Sequence, residues 1–141
     1  MNILDWLTKY RFENLERREH DWVFHFDAEA HLVVSCLWRL CEHGRICVTS
    51  QDDGHKFGLP MPVDAVAYVD ERITDAVVTA VELRDRTLDL RIEFSSGHVL
   101  EVIPSSSGYE AWDLSRENQQ FIAVGGGKLT VFGDGSKQDT C

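Results

Sequence analysis

Two stretches of the chain alternate apolar with polar residues on both sides of a short turn. In the later stretch the alternation runs over residues 88–94, breaks at Ser95-Ser96-Gly97 and resumes as far as Ile103. Such a period of two around a short turn containing glycine predicts an antiparallel hairpin. The earlier stretch has the same design, because residues 22–26 lead through residues 27–30 into a long apolar return strand over residues 31–38.

The remaining pattern predicts further strands and two helices. An edge strand is expected within residues 11–18, and further strands are expected over residues 45–49, 77–83, 121–124 and 129–132. Apolar spacings of one, three and four predict short amphipathic helices over residues 3–10 and 62–73. Pro62 suits the first turn of the second helix.

The two halves of the chain resemble each other in their pattern. Aligning residues 21–26 with residues 89–94 also aligns Leu32 with Leu100 and Val34 with Val102, and a tryptophan, Trp38 or Trp112, follows each hairpin. Further along, Ile46 aligns with Ile122 and Val48 with Val124, once extra residues around 105–110 are allowed for. This favours a duplicated unit, although strand periodicity shared by chance is the alternative.

These patterns predict an α+β fold that is mostly antiparallel sheet. We expect a single domain over residues 1–133, with β-rich units at residues 1–50 and 62–133, each preceded by a short helix. Residues 51–61 are rich in Asp, Gly and Pro and are expected to form a linking loop. The polar residues 134–141 are expected to form a flexible tail.

Composition fits one ordinary globular domain. The 141 residues are 43% hydrophobic and 27% charged, and a chain of this length buries roughly two-thirds of its unfolded surface without a metal or disulfide. No secretory signal and no apolar run of membrane-spanning length is visible. We therefore expect a cytoplasmic protein whose cysteines are reduced. The cysteines are Cys36, Cys41, Cys47 and Cys141.

The net charge of the chain argues against some classes of partner. There are 24 acidic and 14 basic residues, which give a net charge of -10. This argues against nucleic acid and against an anionic membrane as partner. The negative charge serves solubility in one interpretation. In the other, an acidic face meets a basic protein.

Histidines and cysteines are dense in the first third of the chain but lack the spacing of a metal site. Neither a C-x-x-C nor an H-x-x-x-H pair occurs, so no metal and no cofactor are predicted. The residues concerned are His20, His25, His31, His43, His55, Cys36, Cys41 and Cys47.

No catalytic constellation is visible either. The chain has no G-x-S-x-G nucleophile motif. The glycines at 125–127 precede a strand-like run, and so favour a hairpin turn over a phosphate-binding loop. We therefore predict no catalytic residues, and a protein that is not an enzyme is favoured.

Two groups of residues are candidates for binding. Tyr109, Glu110 and Trp112 could anchor an interface, with the aromatic rings supplying area and Glu110 meeting a cation. In the alternative, Trp112 fills the core as Trp38 does. Asp52, Asp53 and His55 form the second group. Their alternative role is local, as helix caps or turn hydrogen bonds.

Several motifs resemble those of a family of small bacterial proteins of unknown function. They are the run WRL at 38–40, TSQDDGH at 49–55 leading to FGLP at 57–60, the pair DL at 89–90 and SSGYEAW at 106–112. The resemblance covers roughly residues 20–125 and implies a bacterial, cytoplasmic protein. It brings no catalytic residues with it.

Three function classes remain open. The first is a non-catalytic protein-binding module, such as an inhibitor or immunity-type protein with an acidic face. The second is a homodimeric structural or regulatory protein. The third is a ligand-binding protein or enzyme with a pocket near Asp52, His55 and Glu110, which would require convergent polar groups in a formed cavity.

Overall fold

The computed structural model describes residues 2–133, so the predicted tail at 134–141 lies outside the described residues. Residues 2–133 form eleven strands, one α-helix and one 3₁₀ turn at Asp5–Leu7. The helix α1 spans Ala65–Ile73. The strands are β1 (Phe12–Arg17), β2 (Trp22–Phe26), β3 (His31–Val34), β4 (Leu37–Glu42), β5 (Arg45–Thr49), β6 (Val78–Leu83), β7 (Leu90–Phe94), β8 (His98–Ile103), β9 (Trp112–Arg116), β10 (Gln119–Val124) and β11 (Lys128–Gly133).

The strands form two antiparallel sheets that share one hydrophobic core. The six-stranded sheet has the order β1-β2-β3-β9-β10-β11, and the five-stranded sheet has the order β5-β4-β8-β7-β6. Aromatic rings meet between the sheets, with Phe24 and Trp38 at 5.3 Å and Phe26 and Phe94 at 6.4 Å between centroids. The predicted single antiparallel domain is found, but it is mostly β, with 47% strand and 9% helix. The α+β label therefore holds only roughly.

The two sheets repeat the same strand register. In the first, Trp22 faces Val34 and Phe24 faces Leu32; in the second, Leu90 faces Val102 and Ile92 faces Leu100. A bulge near the start of β1 has a counterpart near the start of β6. Each sheet thus begins with a three-stranded meander from one half of the chain and continues with strands from the other half.

The later part of the sequence alignment was out of register. Val48 faces Leu40 across β4 and β5, whereas Phe121 faces Leu114 across β9 and β10. Val48 therefore occupies the position of Phe121 rather than that of Val124. A register shift beside Leu40 displaces β5 by one residue and so accounts for part of this difference. The sequence pattern does not reveal such a bulge.

The apolar run over residues 31–38, predicted as one strand, is broken at Ser35–Cys36. There the chain leaves the six-stranded sheet and enters the five-stranded one as β4. The Ser35 N–H donates to the Ala111 carbonyl at 2.9 Å, while Leu37 already faces Ile103. The sequence contains no signal for this break, because both strands bury every second residue and the apolar run continues through it.

The first predicted helix is wrong in length and type. Instead of a helix over residues 3–10, the chain makes one 3₁₀ turn, and no side chain caps its start at Leu4. Thr8 is extended and Lys9 adopts a positive φ of 81°, which ends the turn. Leu4 and Leu7 are nevertheless fully buried. The spacing of the apolar residues therefore reflects packing of this segment against β6, and not a helix.

The second predicted helix is confirmed, although it begins three residues later than Pro62. Asp64 is its N-cap, and the Asp64 Oδ1 atom accepts the Ala67 N–H at 3.0 Å. The Asp70 carboxylate accepts the Leu15 N–H at 2.8 Å, which fixes the helix to β1. Burial raises the pKa of Asp70, and the Leu15 hydrogen bond opposes that rise.

The two ends of the sandwich differ in their connections. At one end the strands are joined by short turns such as His43–Gly44 and residues 95–97. At the other end, here called the long-loop end, lie both crossings between sheets and the longest loops. The connections of the long-loop end are residues 18–21, 35–36, 50–64, 84–89, 104–111 and 125–127.

Candidate binding site at the long-loop end

The loop that precedes the helix is held at its base by two carboxylates. The Asp52 Oδ2 atom accepts the Thr49 N–H at 3.0 Å, and the Asp53 Oδ1 atom accepts the Ala65 N–H at 2.9 Å. Asp53 also lies 3.9 Å from the Arg17 guanidinium. Both acids therefore make the local turn and helix-end bonds that were the alternative to a binding role.

Backbone bonds close this loop into a narrow protrusion. The Gly54 N–H donates to the Val63 carbonyl and the Val63 N–H donates to the His55 carbonyl, each at 2.8 Å. A turn at the tip brings the Leu59 N–H to within 2.7 Å of the Lys56 carbonyl. His55 is exposed and its ring stacks on a neighbouring phenyl ring. The loop is thus fixed at its base and at its tip.

The tip of this protrusion is apolar and faces water. Phe57 is 65% exposed, Leu59 is 54% exposed and Met61 is 72% exposed. We call residues 56–61 the apolar loop. Several large apolar side chains exposed on one short segment mark an interaction surface, since isolated exposure is common but grouped exposure is not.

Sequence reasoning missed these three side chains. It identified the loop and chose its acids and its histidine, because titratable groups suggest chemistry. The available signal was the apolar content of FGLPM at 57–61, in a segment whose Gly and Pro residues exclude a buried strand. Apolar residues that lie outside every predicted helix or strand have no buried face to occupy, so their side chains are expected to be exposed.

The second predicted group lies on the crossing loop 104–111. The Ser106 hydroxyl accepts the N–H groups of Gly108 and Tyr109 at 3.0 Å each, which fixes the local turn. Tyr109 is 82% exposed and Glu110 is also exposed. These two side chains are therefore available to a partner.

Trp112, the third member of that group, belongs to the core. Its side chain is 1% exposed, and its indole Nε1 donates to the Leu88 carbonyl at 2.9 Å. A partner cannot reach this ring, so the proposed anchoring role of Trp112 is replaced by the core role that was its alternative.

A cavity of about 580 Å³ opens between the two crossings. Ser35 and Cys36 line it from the first crossing, and Tyr109 and Glu110 line it from the second, with His20 also contributing. Burial raises the pKa of the Cys36 thiol to about 11. At neutral pH the thiol is therefore protonated, and this cysteine is a poor nucleophile.

The cavity between the crossings includes only one of the three residues predicted to line a pocket, Asp52, His55 and Glu110. Glu110 lines the cavity between the crossings, whereas Asp52 and His55 do not. All three nevertheless lie at the long-loop end, because strand order brings both of their loops to that end.

The model of a family of unknown function, DUF6188, matches residues 5–133. The chain belongs to DUF6188. The match spans the 3₁₀ turn, the helix and all the strands named above, and it agrees with the expected resemblance to a family without assigned activity. No curated protein and no solved structure matches the chain.

This DUF6188 chain has a second hollow, of about 410 Å³, on the outer face of the five-stranded sheet. Its floor is an ion-pair network. Arg39 Nε lies 2.5 Å from Glu101 Oε1, and Arg91 contacts Glu93, Glu82 and Glu101. Arg39 and Arg91 are thus already paired with carboxylates, while Arg84 and Asp89 also line the hollow.

Within the described residues 2–133, no helix is both long enough and apolar enough to cross a bilayer.

Proposed function

We propose that this protein is a non-catalytic protein-binding module that engages its partner through the long-loop end. The observation that carries the proposal is the exposure of Phe57, Leu59 and Met61 on a loop fixed by hydrogen bonds. Binding costs free energy when flexible loops must be ordered. A loop already ordered avoids that cost, so burial of its apolar area contributes more fully to affinity.

The chemistry of the surrounding groups favours a basic partner. A net charge of -10 attracts cationic proteins over long range and speeds their association. Tyr109 and Glu110 stand together at the mouth of the cavity between the crossings. A lysine or arginine side chain entering there would stack on the Tyr109 ring and pair with the Glu110 carboxylate. An inhibitor or immunity-type role fits such a partner.

We also propose that the protein is bacterial and cytoplasmic, and that its chain arose by duplication of one unit. A bacterial, cytoplasmic protein is in keeping with the resemblance of its motifs. A duplicated unit is supported by equal registers in the two meanders and by the matching bulges at the starts of β1 and β6. Under that proposal, the crossing loop 104–111 is where the second copy gained residues relative to Ser35–Cys36.

A homodimer is the second candidate, and the edge strand β11 favours it. This strand lies at the end of the six-stranded sheet, and Phe132 on it is 54% exposed. An edge strand with an exposed apolar side chain can accept a strand from a second copy. Native mass spectrometry of the purified protein separates this candidate from the first, because it requires a dimer with no other species bound.

Site-specific photo-crosslinking tests the binding-module proposal. A photoreactive amino acid is placed at Leu59 in the apolar loop and, as a control, at Ile46 near the short-turn end. These side chains are 54% and 56% exposed, so they differ in location and hardly in accessibility. In cell lysate we expect a discrete protein adduct from position 59 and none from position 46.

Adduct identity decides between the candidates. A basic protein crosslinked at position 59 supports the module, and Glu110→Gln should then weaken its binding roughly tenfold, as expected for loss of one charged contact. Equal adducts from both positions, or no adduct from position 59 with a partner known to co-purify, would overturn the proposal.

A further inference from the structure

Two histidines face each other on the outer surface of the six-stranded sheet, away from the long-loop end. His25 in β2 and His31 in β3 are directly opposite in the antiparallel register. Their Nδ1 atoms lie 2.8 Å apart, and their ring planes are inclined at 83°. Both side chains are half-buried rather than enclosed, so solvent ions can reach them.

A carboxylate orients one of these rings. The His25 Nε2 atom lies 2.8 Å from Glu16 Oε1 on β1. Because an ionised carboxylate can only accept, Nε2 of His25 carries a proton, and in the neutral ring Nδ1 then presents its lone pair toward His31. A metal-binding histidine is usually held in this way, with its second ring nitrogen donating to a carboxylate.

The spacing of the two nitrogens suits a particular coordination angle. With metal–nitrogen bonds of about 2.1 Å, a right angle at the metal separates the nitrogens by about 3.0 Å and a tetrahedral angle by about 3.4 Å. The observed 2.8 Å is the hydrogen-bond length of the metal-free pair, and the right-angle spacing is the one reached from it with the smaller movement. Square-planar and octahedral ions use that angle, and imidazole suits Ni²⁺ and Cu²⁺ among them.

We propose that His25 and His31 bind a divalent transition-metal ion, Ni²⁺ or Cu²⁺, through their Nδ1 atoms. Among residues 2–133 no group of three or more His, Cys, Asp or Glu side chains is arranged to hold a metal. In this proposal the two imidazoles are the only protein ligands from the described residues, and water completes the shell of the ion. Asn14 faces His25 and Ser115 faces His31 across the sheet, and both are polar neighbours suited to bound water.

Binding changes the tautomer of one ring and leaves the proton count unchanged. In the metal-free pair, His31 donates its Nδ1–H to the Nδ1 lone pair of His25. When the metal binds, the Nδ1 proton of His31 is exchanged through solvent for one on Nε2, which frees the second lone pair. His25 needs no change because Glu16 already holds its proton at Nε2.

Calorimetric titration of the full chain with Ni²⁺ tests the proposal. We expect one Ni²⁺ per chain, with affinity at least tenfold weaker in His31→Gln and in His25→Gln. Glu16→Gln should retain the site but weaken it by about tenfold to a hundredfold, as a loss of ring orientation does. His55→Gln, which changes an exposed histidine of the loop before the helix, is the matched control and should bind like the unaltered protein.

A measurement on the unaltered protein makes the test independent of variant folding. In imidazole NMR spectra, Ni²⁺ should shift or broaden the signals of His25 and His31 before those of His55. No saturable binding, equal binding by His31→Gln, or equal perturbation of all histidine signals would overturn the proposal.

Discussion

The two tryptophans that follow the hairpins occupy equivalent places but differ in one hydrogen bond. Trp38 faces Val102 and Trp112 faces Val34, and both are buried. The Trp112 indole donates to the Leu88 carbonyl, whereas Trp38 Nε1 has no hydrogen-bond partner among the described residues. One indole is therefore satisfied and the other is not.

This difference predicts unequal costs for the same substitution. Trp112→Phe should destabilise the fold by about 1–3 kcal/mol more than Trp38→Phe, because only Trp112→Phe removes the donor from a buried carbonyl. Both variants lose the same volume, so each is the packing control for the other. Urea unfolding followed by circular dichroism measures both, and equal losses would show that the indole hydrogen bond is without net effect.

The raised pKa of Cys36 predicts a loss of stability in alkali. The folded thiol keeps its proton to about pH 11, while an unfolded thiol ionises near its ordinary value. The stabilisation is complete below the unfolded pKa and is lost between about pH 9 and 11. Between pH 8 and 10.5 the unaltered protein should therefore lose about 1 kcal/mol more than Cys36→Ser, a value reduced for partial exposure.

Cys47→Ser is the control for that measurement. Its thiol is half-exposed and lies on β5, at the edge of the five-stranded sheet. The variant therefore removes a cysteine without removing the buried thiol. If Cys36→Ser and the unaltered protein show the same fall in unfolding free energy over this pH range, burial of the Cys36 thiol does not couple to folding.

At the scale of elements, the hairpin of β10 and β11 is locked against a neighbouring loop through its glycines. Gly126 and Gly127 have nearly equal positive φ values of 83° and 84°. A Cβ on Gly127 would lie 1.6 Å from the Arg86 carbonyl oxygen, while one on Gly126 would lie no closer than 3.6 Å to its nearest neighbour. Of these two glycines, only Gly127 combines a positive φ with a close approach.

Alanine at the two positions separates these effects. Gly126→Ala should cost about 1 kcal/mol, the price of a left-handed alanine. Gly127→Ala should cost at least about 2 kcal/mol, because the Arg86 backbone must also move. Thermal unfolding of both variants measures the difference. Similar midpoints would mean that the loop at 84–89 moves aside without a cost in stability.

Elements with their own periodicity could be predicted from sequence, and the connections between them could not. The hairpin of β7 and β8 and the hairpin of β10 and β11 were correct because alternation and turn glycines report local structure. The break at Ser35–Cys36 has no local signal, since the inward positions stay apolar on both sides. The apolar loop was recognised as a loop, but its exposed side chains depend on what the rest of the fold leaves uncovered.

The His25 and His31 pair illustrates the same limit. Sequence reasoning looked for ligands at the short spacings of a helix or a tight turn. These histidines meet because the turn at 27–30 sets the register of β2 against β3, and register follows from the whole sheet. The core position of Trp112 was the alternative that its apolar segment suggested, whereas nothing local separated it from the exposed Tyr109 in the same candidate group.

At the scale of the whole molecule, each sheet is completed by strands from the other half of the chain. The first half supplies β1, β2 and β3 to one sheet and β4 and β5 to the other, and the pairings of β3 with β9 and of β4 with β8 join the halves. The halves therefore share one core and should unfold together.

Cleavage of the chain in the apolar loop tests whether the two halves share one core. With a protease site inserted after Lys56, the nicked protein should keep the elution volume of the intact chain, because two full strand pairings and the common core still join its pieces. The pieces should separate only in denaturant. Separate elution under native conditions would show that the halves are independent units.

The shared sheets also govern how the protein can fold as it is synthesised. When β3 and β4 leave the ribosome, their partners β9 and β8 are still to be translated, so each presents an unpaired edge to the cell for that interval. Pairings this distant in sequence form slowly and expose the chain to aggregation. Translation speed between β5 and β8 is thus a determinant of yield, and slowing it should lengthen the time during which a newly made chain depends on chaperones.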